Sequence, residues 1–318
     1  MTSYRKKQGA SQRYLIINAL SFIAPFFVTY FIFNFFPILF SLFLSFYSWD
    51  GISAIKFVGL GNYARIFSSD PYFLMSISNT VILMLLYVPF SVILGLLLAN
   101  TVSSRYVVGR RLFQVVNYFP YIITPVAIGL LFSVLFDWSS GSVNQLLMDL
   151  GVVRKGINWL GRASSARLVI GLMLVWKYSG YCMMLYLAGI NAISPDLFEA
   201  AHIDGANARQ TFLYVTIPSL RPITLFVTTT MITNGFQLFD EVKILLGGTG
   251  ALGMASVGGP GRSCLTAVWN LYDTAFGFTS GSQRLGYGSA VAYGLFLFIV
   301  LVSALNYLFV QRKEMKKG

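Results

Sequence analysis

The chain has 318 residues, of which 56% are hydrophobic and only 11% are charged. Soluble domains carry about 25% charged residues, so this composition excludes an ordinary soluble protein and predicts one that crosses a membrane. A formal net charge of +12 is compatible with nucleic-acid binding, but in a membrane protein it reflects positive cytoplasmic loops. We therefore expect membrane lipid, and no nucleic acid, around the chain.

Six apolar runs set the predicted architecture. They cover residues 20–44, 77–99, 115–136, 168–190, 223–239 and 287–310. All except the short fifth run match the length of a bilayer-spanning helix. Pro89 and Pro125 fall inside runs, where lipid-embedded helices tolerate proline better than soluble ones do. The predicted fold is an all-α polytopic membrane protein with six transmembrane helices.

Lysine and arginine are concentrated in both tails and in the loops after the second and fourth runs. By the positive-inside rule, this bias places both termini in the cytoplasm. The predicted organisation is a cytoplasmic N-terminal tail at 1–18, a six-helix transmembrane domain at 19–310 and a cytoplasmic C-terminal tail at 311–318. The domain includes a cytoplasmic loop at 191–222.

The loop at 191–222 has the signals of two short helices. Ser194 followed by Pro195 is typical of a helix start, with a capping hydroxyl before a proline at the first helical position. Gly205 permits the positive φ that ends a helix, and Pro218 comes at the end of the second helical stretch. We predict a short helix, a tight turn and a second helix.

Two interpretations of this loop remain open from the residues themselves. Ala200 and Ala201 present almost no side chain, so the backbone of another protein can approach closely, which is typical of a docking element for a soluble partner. An amphipathic loop lying on the membrane surface has a similar pattern.

The loop resembles a known motif. Glu199-Ala200-Ala201, then Gly205, then Pro218 is similar to the EAA loop of binding-protein-dependent ABC importer permeases. Further blocks resemble the carbohydrate branch of that family, which includes the maltose and glycerol-phosphate importers. These blocks are residues 158–161, 176–177, 187–189, 236–240, 258–261 and 285–290. The resemblance covers roughly residue 57 to the end.

The resemblance implies an ABC importer type I permease fold and a heterodimer with a second permease subunit around a central path. It implies that the chain lies in a bacterial cytoplasmic (inner) membrane and that a cytoplasmic ATPase dimer docks on the loop at 191–222. We call this loop the coupling loop. The expected contact residues are Glu199, Ala200, Ala201, Asp204, Gly205 and Pro218. It also implies an extracytoplasmic solute-binding protein. The outer loop at 240–258 is longer than the family's, so we expect its contact with that protein to differ in shape.

No cofactor is expected on this chain. ATP and Mg²⁺ would bind to the partner ATPase, because the sequence contains no GxxxxGK[ST] phosphate-binding string. The single histidine, His202, lies in the coupling loop, and no His, Cys and carboxylate cluster has metal-ligand spacing. Seven of the eleven acids are scattered through predicted outer loops: Asp50, Asp70, Asp137, Asp149, Asp240, Glu241 and Asp273. We therefore predict no metal site, no catalytic residue and no enzymatic activity in this chain.

The predicted substrate path lies on the fifth run, which has hydroxyls and amides but no charge before residue 240. Asn234 and Gln237 are three apart and share a helix face, and Thr230 lies one turn earlier. Such groups suit an uncharged sugar, although hydrogen bonding between helices is an equal alternative. Lys177, inside the fourth run, is a further candidate for the path or for a structural role beside it.

The predicted function is import of a sugar or small oligosaccharide, driven by ATP hydrolysis on separate subunits. A glycerol-phosphate importer is the alternative within the family, but a phosphate would demand basic residues along the path, where Lys177 is alone. A secondary transporter is the alternative from another class. It would carry carboxylates inside the membrane, and we expect all the acids here outside the runs or at their ends.

Overall fold

The computed structural model describes residues 18, 20–104, 107–247, 257–277 and 283–315. The predicted N-terminal tail (apart from residue 18), most of the glycine-rich outer segment at 247–261 and the end of the C-terminal tail lie outside the described residues. Within that range the chain is helical, with a single two-stranded hairpin. The expected all-α membrane architecture is thus confirmed.

The elements follow one another in this order. The first half of the chain forms α1 at Leu20–Ser45, β1 at Tyr47–Ser48, β2 at Lys56–Phe57, α2 at Gly61–Ser68, α3 at Pro71–Ser103, α4 at Arg110–Ile122, α5 at Pro125–Leu135, α6 at Ser142–Asp149 and α7 at Ala163–Asn191. The second half forms α8 at Pro195–Ile203, α9 at Ala208–Ser219, α10 at Arg221–Phe236, α11 at Asp240–Gly247, a 3-10 turn at Pro260–Arg262, α12 at Ala267–Phe276 and α13 at Leu285–Met315.

The described residues contain four helices that are long and apolar enough to cross a membrane. They are α1, α3, α7 and the Leu285–Leu305 part of α13. Two bent pairs, α4 with α5 and α9 with α10, raise the number of spans to six if each pair is one span. By length and composition, the structure accommodates the six predicted spans.

The third predicted span differs from the expectation of one helix over 115–136. It consists of α4 and α5, which meet at an angle of 94°. We expected Pro125 to be tolerated inside a helix; instead it begins α5, and Ile123 and Thr124 before it are extended, with ψ of 140° and 141°. A proline favours an extended preceding residue. Pro89, by contrast, lies inside α3 without ending it.

The chain divides into two compact units. The first consists of Met1–Ile66 and Thr274–Tyr293, and the second consists of Phe67–Asp273 and Gly294–Gly318. In the first unit, β1 pairs antiparallel with β2, with Tyr47 opposite Phe57. The Asn62 amide donates hydrogen bonds of 2.9 Å to the carbonyls of Ser45 and Tyr47, which ties the hairpin to the end of α1. Backbone hydrogen bonds from residues 52 and 53 lower the pKa of Asp50 to about 2.

The core of the second unit is built around α7. Gly95 of α3 lies directly against Cys182 of α7, and Gly180 of α7 lies against the backbone of Asn117 on α4. A side chain at either glycine would overlap its neighbour, so both helix pairs depend on glycine for their close approach. Small residues serve this purpose at membrane helix interfaces. Helix α7 is therefore the central element on which α3 and α4 pack.

Candidate functional site

The first helix of the candidate coupling loop forms as predicted. Helix α8 has Pro195 at its start, and the Ser194 hydroxyl accepts a hydrogen bond of 3.4 Å from the backbone NH of Asp196. The helix ends before Gly205, whose φ of 75° lies in the left-handed region. The backbone NH of Ala206 then donates to the carbonyl of Ala201 at 2.9 Å. The predicted helix and its glycine turn are confirmed.

The second helix of the loop starts with a cap that the sequence analysis missed. The side chain of Asn207 accepts a hydrogen bond of 2.9 Å from the backbone NH of Gln210. In return, the Gln210 side chain accepts one of 2.8 Å from the backbone NH of Asn207. This reciprocal pair is a capping box, and its Asn-x-x-Gln spacing was visible in the sequence.

The end of the second helix turns the chain into the next span. Helix α9 contains a π-helical turn at Phe212–Thr216 and ends at Ser219, after Pro218. The axis then bends by 66° into α10. The prediction that the second helix ends near Pro218 is confirmed.

The predicted coupling residues divide into two groups by exposure. Glu199, Ala200, Asp204 and Gly205 are exposed, whereas Pro218 is half-buried and Ala201 is buried, with an exposed fraction of 9%. Ala201 therefore packs within the chain and supports the loop from inside.

Two large apolar side chains add to the exposed surface of the loop. Ile203 is 85% exposed at the end of α8, and Tyr214 is 76% exposed on α9. Neither was singled out from the sequence. Both side chains are available for contact with a partner protein or with lipid.

Lys177 is paired with an acid in the interior of the protein. Its ammonium group forms an ion pair with the carboxylate of Glu241, and only 7% of each side chain is exposed. Lys177 lies on α7 and Glu241 on the first turn of α11. The expectation that Glu241 belongs to an outer loop is wrong, because α11 folds back and buries it.

The predicted path residues lie at the end of α10. Gln237 caps this helix, and its backbone NH donates to the carbonyl of Asn234 at 3.0 Å. The Gln237 side chain is exposed, and those of Asn234 and Thr230 are half-buried. Thr224 and Thr233 instead donate to carbonyls one turn back in their own helix. Gln237 is thus open to the surroundings, and Asn234 is partly open one turn before it.

A cluster of tyrosines from three helices lies in the same unit and was not predicted. The rings of Tyr121 on α4 and Tyr181 on α7 stack, with centroids 4.5 Å apart. Tyr178 contacts Tyr121 at 5.9 Å and Tyr87 of α3 at 5.7 Å. The Tyr87 hydroxyl donates to the carbonyl of Met231 on α10 at 3.4 Å. The sequence signal was the tyrosine pair three residues apart on α7.

No group of three or more His, Cys, Asp or Glu side chains arranged to hold a metal ion occurs among the described residues. The candidate groups described above are amides, hydroxyls, aromatic rings and one internal ion pair. Such groups bind by hydrogen bonding and stacking.

Comparison with known proteins gives a consistent assignment. Residues 91–315 match the model of the binding-protein-dependent transport system inner membrane component family. The chain is 33% identical to the lactose transport system permease protein of Rhizobium radiobacter, over 94% of this chain and 96% of that protein. It is 32% identical to the arabinooligosaccharides transport system permease protein of Halalkalibacterium halodurans, over 88% of this chain and 84% of that protein.

A solved structure has the same fold. A chain of the bacterial alginate ABC transporter, in complex with its alginate pentasaccharide-bound periplasmic protein, superposes with a TM-score of 0.73. The match covers 94% of this chain and 93% of that chain, at 22% identity. The predicted ABC importer permease fold is confirmed. By family match and by its relatives, the chain belongs to the binding-protein-dependent transport system inner membrane components.

Proposed function

We propose that the chain is the permease subunit of an ATP-driven importer that carries a neutral sugar or small oligosaccharide across a bacterial cytoplasmic membrane. The proposal rests on membership of the family and on the similarity to the lactose and arabinooligosaccharide permeases. Both relatives match this chain over most of their length. Both named substrates are neutral saccharides.

The coupling loop is the proposed docking site of a cytoplasmic ATPase. Its surface combines Ala200, whose small side chain allows close approach, with exposed Ile203 and Tyr214. Burial of Ile203 and Tyr214 in a groove would supply apolar contact area, while Glu199 and Asp204 add charge at the rim. The resemblance to the EAA loop, together with these groups, favours docking over a loop that only lies on the membrane.

The groups around the proposed path suit a sugar. Asn234 and Gln237 offer donors and acceptors for hydroxyl groups. The stacked rings of Tyr121 and Tyr181 offer a flat apolar face with polar hydroxyls at its edge. The charge of Lys177 is compensated by Glu241, which supports a neutral sugar over a glycerol-phosphate.

An uptake panel tests the substrate class. The gene would be deleted, and uptake of labelled lactose, arabinotriose, maltotriose and glycerol 3-phosphate would be measured with and without the wild-type gene restored. We expect the deletion strain to lose uptake of one or more of the neutral saccharides and to regain it when the gene is restored. If only glycerol 3-phosphate uptake is lost, the proposed substrate class is wrong.

Two further partners are proposed, a second permease and a solute-binding protein outside the cell. One six-helix core supplies one coupling loop, whereas the proposed ATPase works as a pair, so a second permease with its own loop is required. The alginate transporter structure supports the solute-binding protein, since it contains a substrate-bound periplasmic protein. Transport by this chain and the ATPase without a second permease would instead indicate a homodimer.

A further inference from the structure

The Lys177–Glu241 ion pair joins two elements that lie on opposite sides of the coupling loop in the sequence. The paired residues are 64 positions apart. Lys177 lies on α7, which precedes the loop, whereas Glu241 follows α10, which comes after it. Among the described residues, these are the two buried side chains that carry a formal charge. A charge inside a membrane protein is costly unless it is paired, which is why such pairs generally have a function.

Glu241 lies directly after the two amides of the proposed path. We call residues 237–241 the α10–α11 joint. Gln237 is its first residue, and Asn234 lies one turn before it on α10. The joint therefore contains one of the two amides and begins one turn after the other.

Hydrogen bonds hold the joint on a second side. The Thr266 hydroxyl donates to the carbonyl of Leu238 at 2.7 Å, and both groups are buried. Thr266 is tied in turn to α3, because the backbone NH of the next residue, Ala267, donates to the Thr80 hydroxyl at 2.9 Å. These contacts fix the backbone of the joint but leave the direction of α11 undetermined.

The direction of α11 is set by α5 and α7 together. Helix α11 packs on α5 where Gly129 leaves room for Ile244, since a β-carbon at Gly129 would lie 2.9 Å from Ile244 Cβ. Glu241 then anchors the start of α11 to Lys177 on α7. Removal of one partner of a buried ion pair leaves an uncompensated charge, so the arrangement strongly disfavours alternatives that separate the two groups.

We propose that Glu241 is a positioning residue for the substrate path, and that Lys177 is its counterion and does not bind substrate. The ion pair holds the α10–α11 joint so that Asn234 and Gln237 face the path in a fixed orientation. The role of the two amides rests on the proposed function. We call the hold of the Lys177–Glu241 pair on the α10–α11 joint the brace. The brace does not rest on the proposed function, because it is a property of the folded chain.

Hydrogen exchange tests the brace without any substrate. In the assembled importer purified with its partner subunits, backbone amides of residues 238–247 should exchange at least about tenfold faster in Glu241→Gln than in wild type, because local opening becomes easier. Asp240→Asn is the matched control, since it removes the neighbouring exposed carboxylate and leaves the pair intact. Wild-type exchange in Glu241→Gln, or equal acceleration in Asp240→Asn, would overturn the proposal.

A double variant separates positioning from stability. Lys177→Met with Glu241→Leu leaves no buried charge unpaired, and such replacements are often tolerated. Normal amounts of this variant are expected in the membrane, with fast exchange at 238–247. If Glu241→Gln does not accumulate in the membrane, the double variant takes its place in the test. Exchange at 238–247 as slow as in wild type would then overturn the brace.

Transport kinetics of the double variant test whether the brace orients the amides of the path. For the saccharide identified by the uptake panel, the double variant should raise the apparent KM on the order of tenfold while the maximal rate falls less, because misoriented groups weaken binding. An unchanged KM beside fast exchange would contradict positioning of the amides. If the panel identifies no saccharide, the exchange result still tests the brace, so failure of the proposed function is recognised separately.

Discussion

The coupling loop and the α10–α11 joint are held together in opposite ways. In the loop, the helix caps are short-range: Ser194 caps α8, and Asn207 and Gln210 cap each other. In the joint, the contacts come from residues far away in the sequence, with Thr266 bound to Leu238 and Lys177 to Glu241. Most of the loop side chains from Pro195 to Gln210 are exposed, whereas the contacts that hold the joint, at Leu238 and Glu241, are buried.

This difference separates two tasks. An exposed loop with its own local caps keeps its shape while it meets a partner, so changes there should affect the coupling of ATP hydrolysis to transport. The joint, anchored through buried Leu238 and Glu241, is proposed to orient the path, so changes there should affect the affinity for substrate. The predictions below test this division.

The largest expected effect is at Gly205 in the loop. Gly205→Val should abolish sugar-stimulated ATP hydrolysis, because a β-branched residue is strained at a φ of 75°. An added β-carbon there would meet no atom of this chain within 4 Å, so within the chain the effect comes from backbone strain and not from a clash. The amount of the variant in the membrane fraction, measured by immunoblotting, should equal that of the wild type.

Gly205→Asn provides the matched control for this prediction. Asparagine adopts the left-handed region more readily than other residues with side chains. We expect this variant to retain much of the stimulation that the valine variant loses. Equal loss in both variants would show that the glycine is needed for contact with the partner and not for its φ, and normal stimulation in the valine variant would exclude the loop as the coupling element.

The next effect concerns the path. Alanine at both Asn234 and Gln237 should lower uptake at limiting sugar roughly tenfold or more, since each lost hydrogen bond costs about 0.5–1.5 kcal/mol. Basal ATP hydrolysis should hardly change, because the loop is untouched. Unchanged uptake and apparent affinity at normal protein levels would mean that the amides only connect helices.

The smallest effect is expected at the cap of α9. Asn207→Ala removes the capping side chain and should cost about 1 kcal/mol of local helix stability. Sugar-stimulated hydrolysis should therefore fall by a few-fold at most, while the apparent KM for sugar stays constant. An altered KM would show that the loop and the path are not separable.

The same contrast explains what the sequence could predict. Ser194, Pro195 and Gly205 act on their nearest neighbours, so their pattern predicts α8 and its turn directly. The Asn207–Gln210 cap is equally local and was overlooked, although its spacing is typical of a capping box. Local signals of this kind are sufficient for most of the coupling loop.

Non-local contacts could not be predicted in this way. Nothing in the sequence near Glu241 indicates that α11 folds back towards α7, since that depends on the packing of α5 and on Thr266. The bend at Pro125 has a similar origin. Proline is present in both α3 and the α4–α5 region, yet Pro89 lies within one continuous helix whereas Pro125 begins a new one. The same holds for the tyrosine cluster, whose members come from three helices.

Reconstitution tests the central claim most directly. The chain would be placed in proteoliposomes with the proposed second permease and ATPase. Uptake of the saccharide identified by the panel would be measured with the proposed solute-binding protein outside and ATP inside. We predict uptake only when all four proteins and ATP are present, and none with Gly205→Val. Uptake by this chain alone, without nucleotide, would contradict the account and identify a secondary transporter.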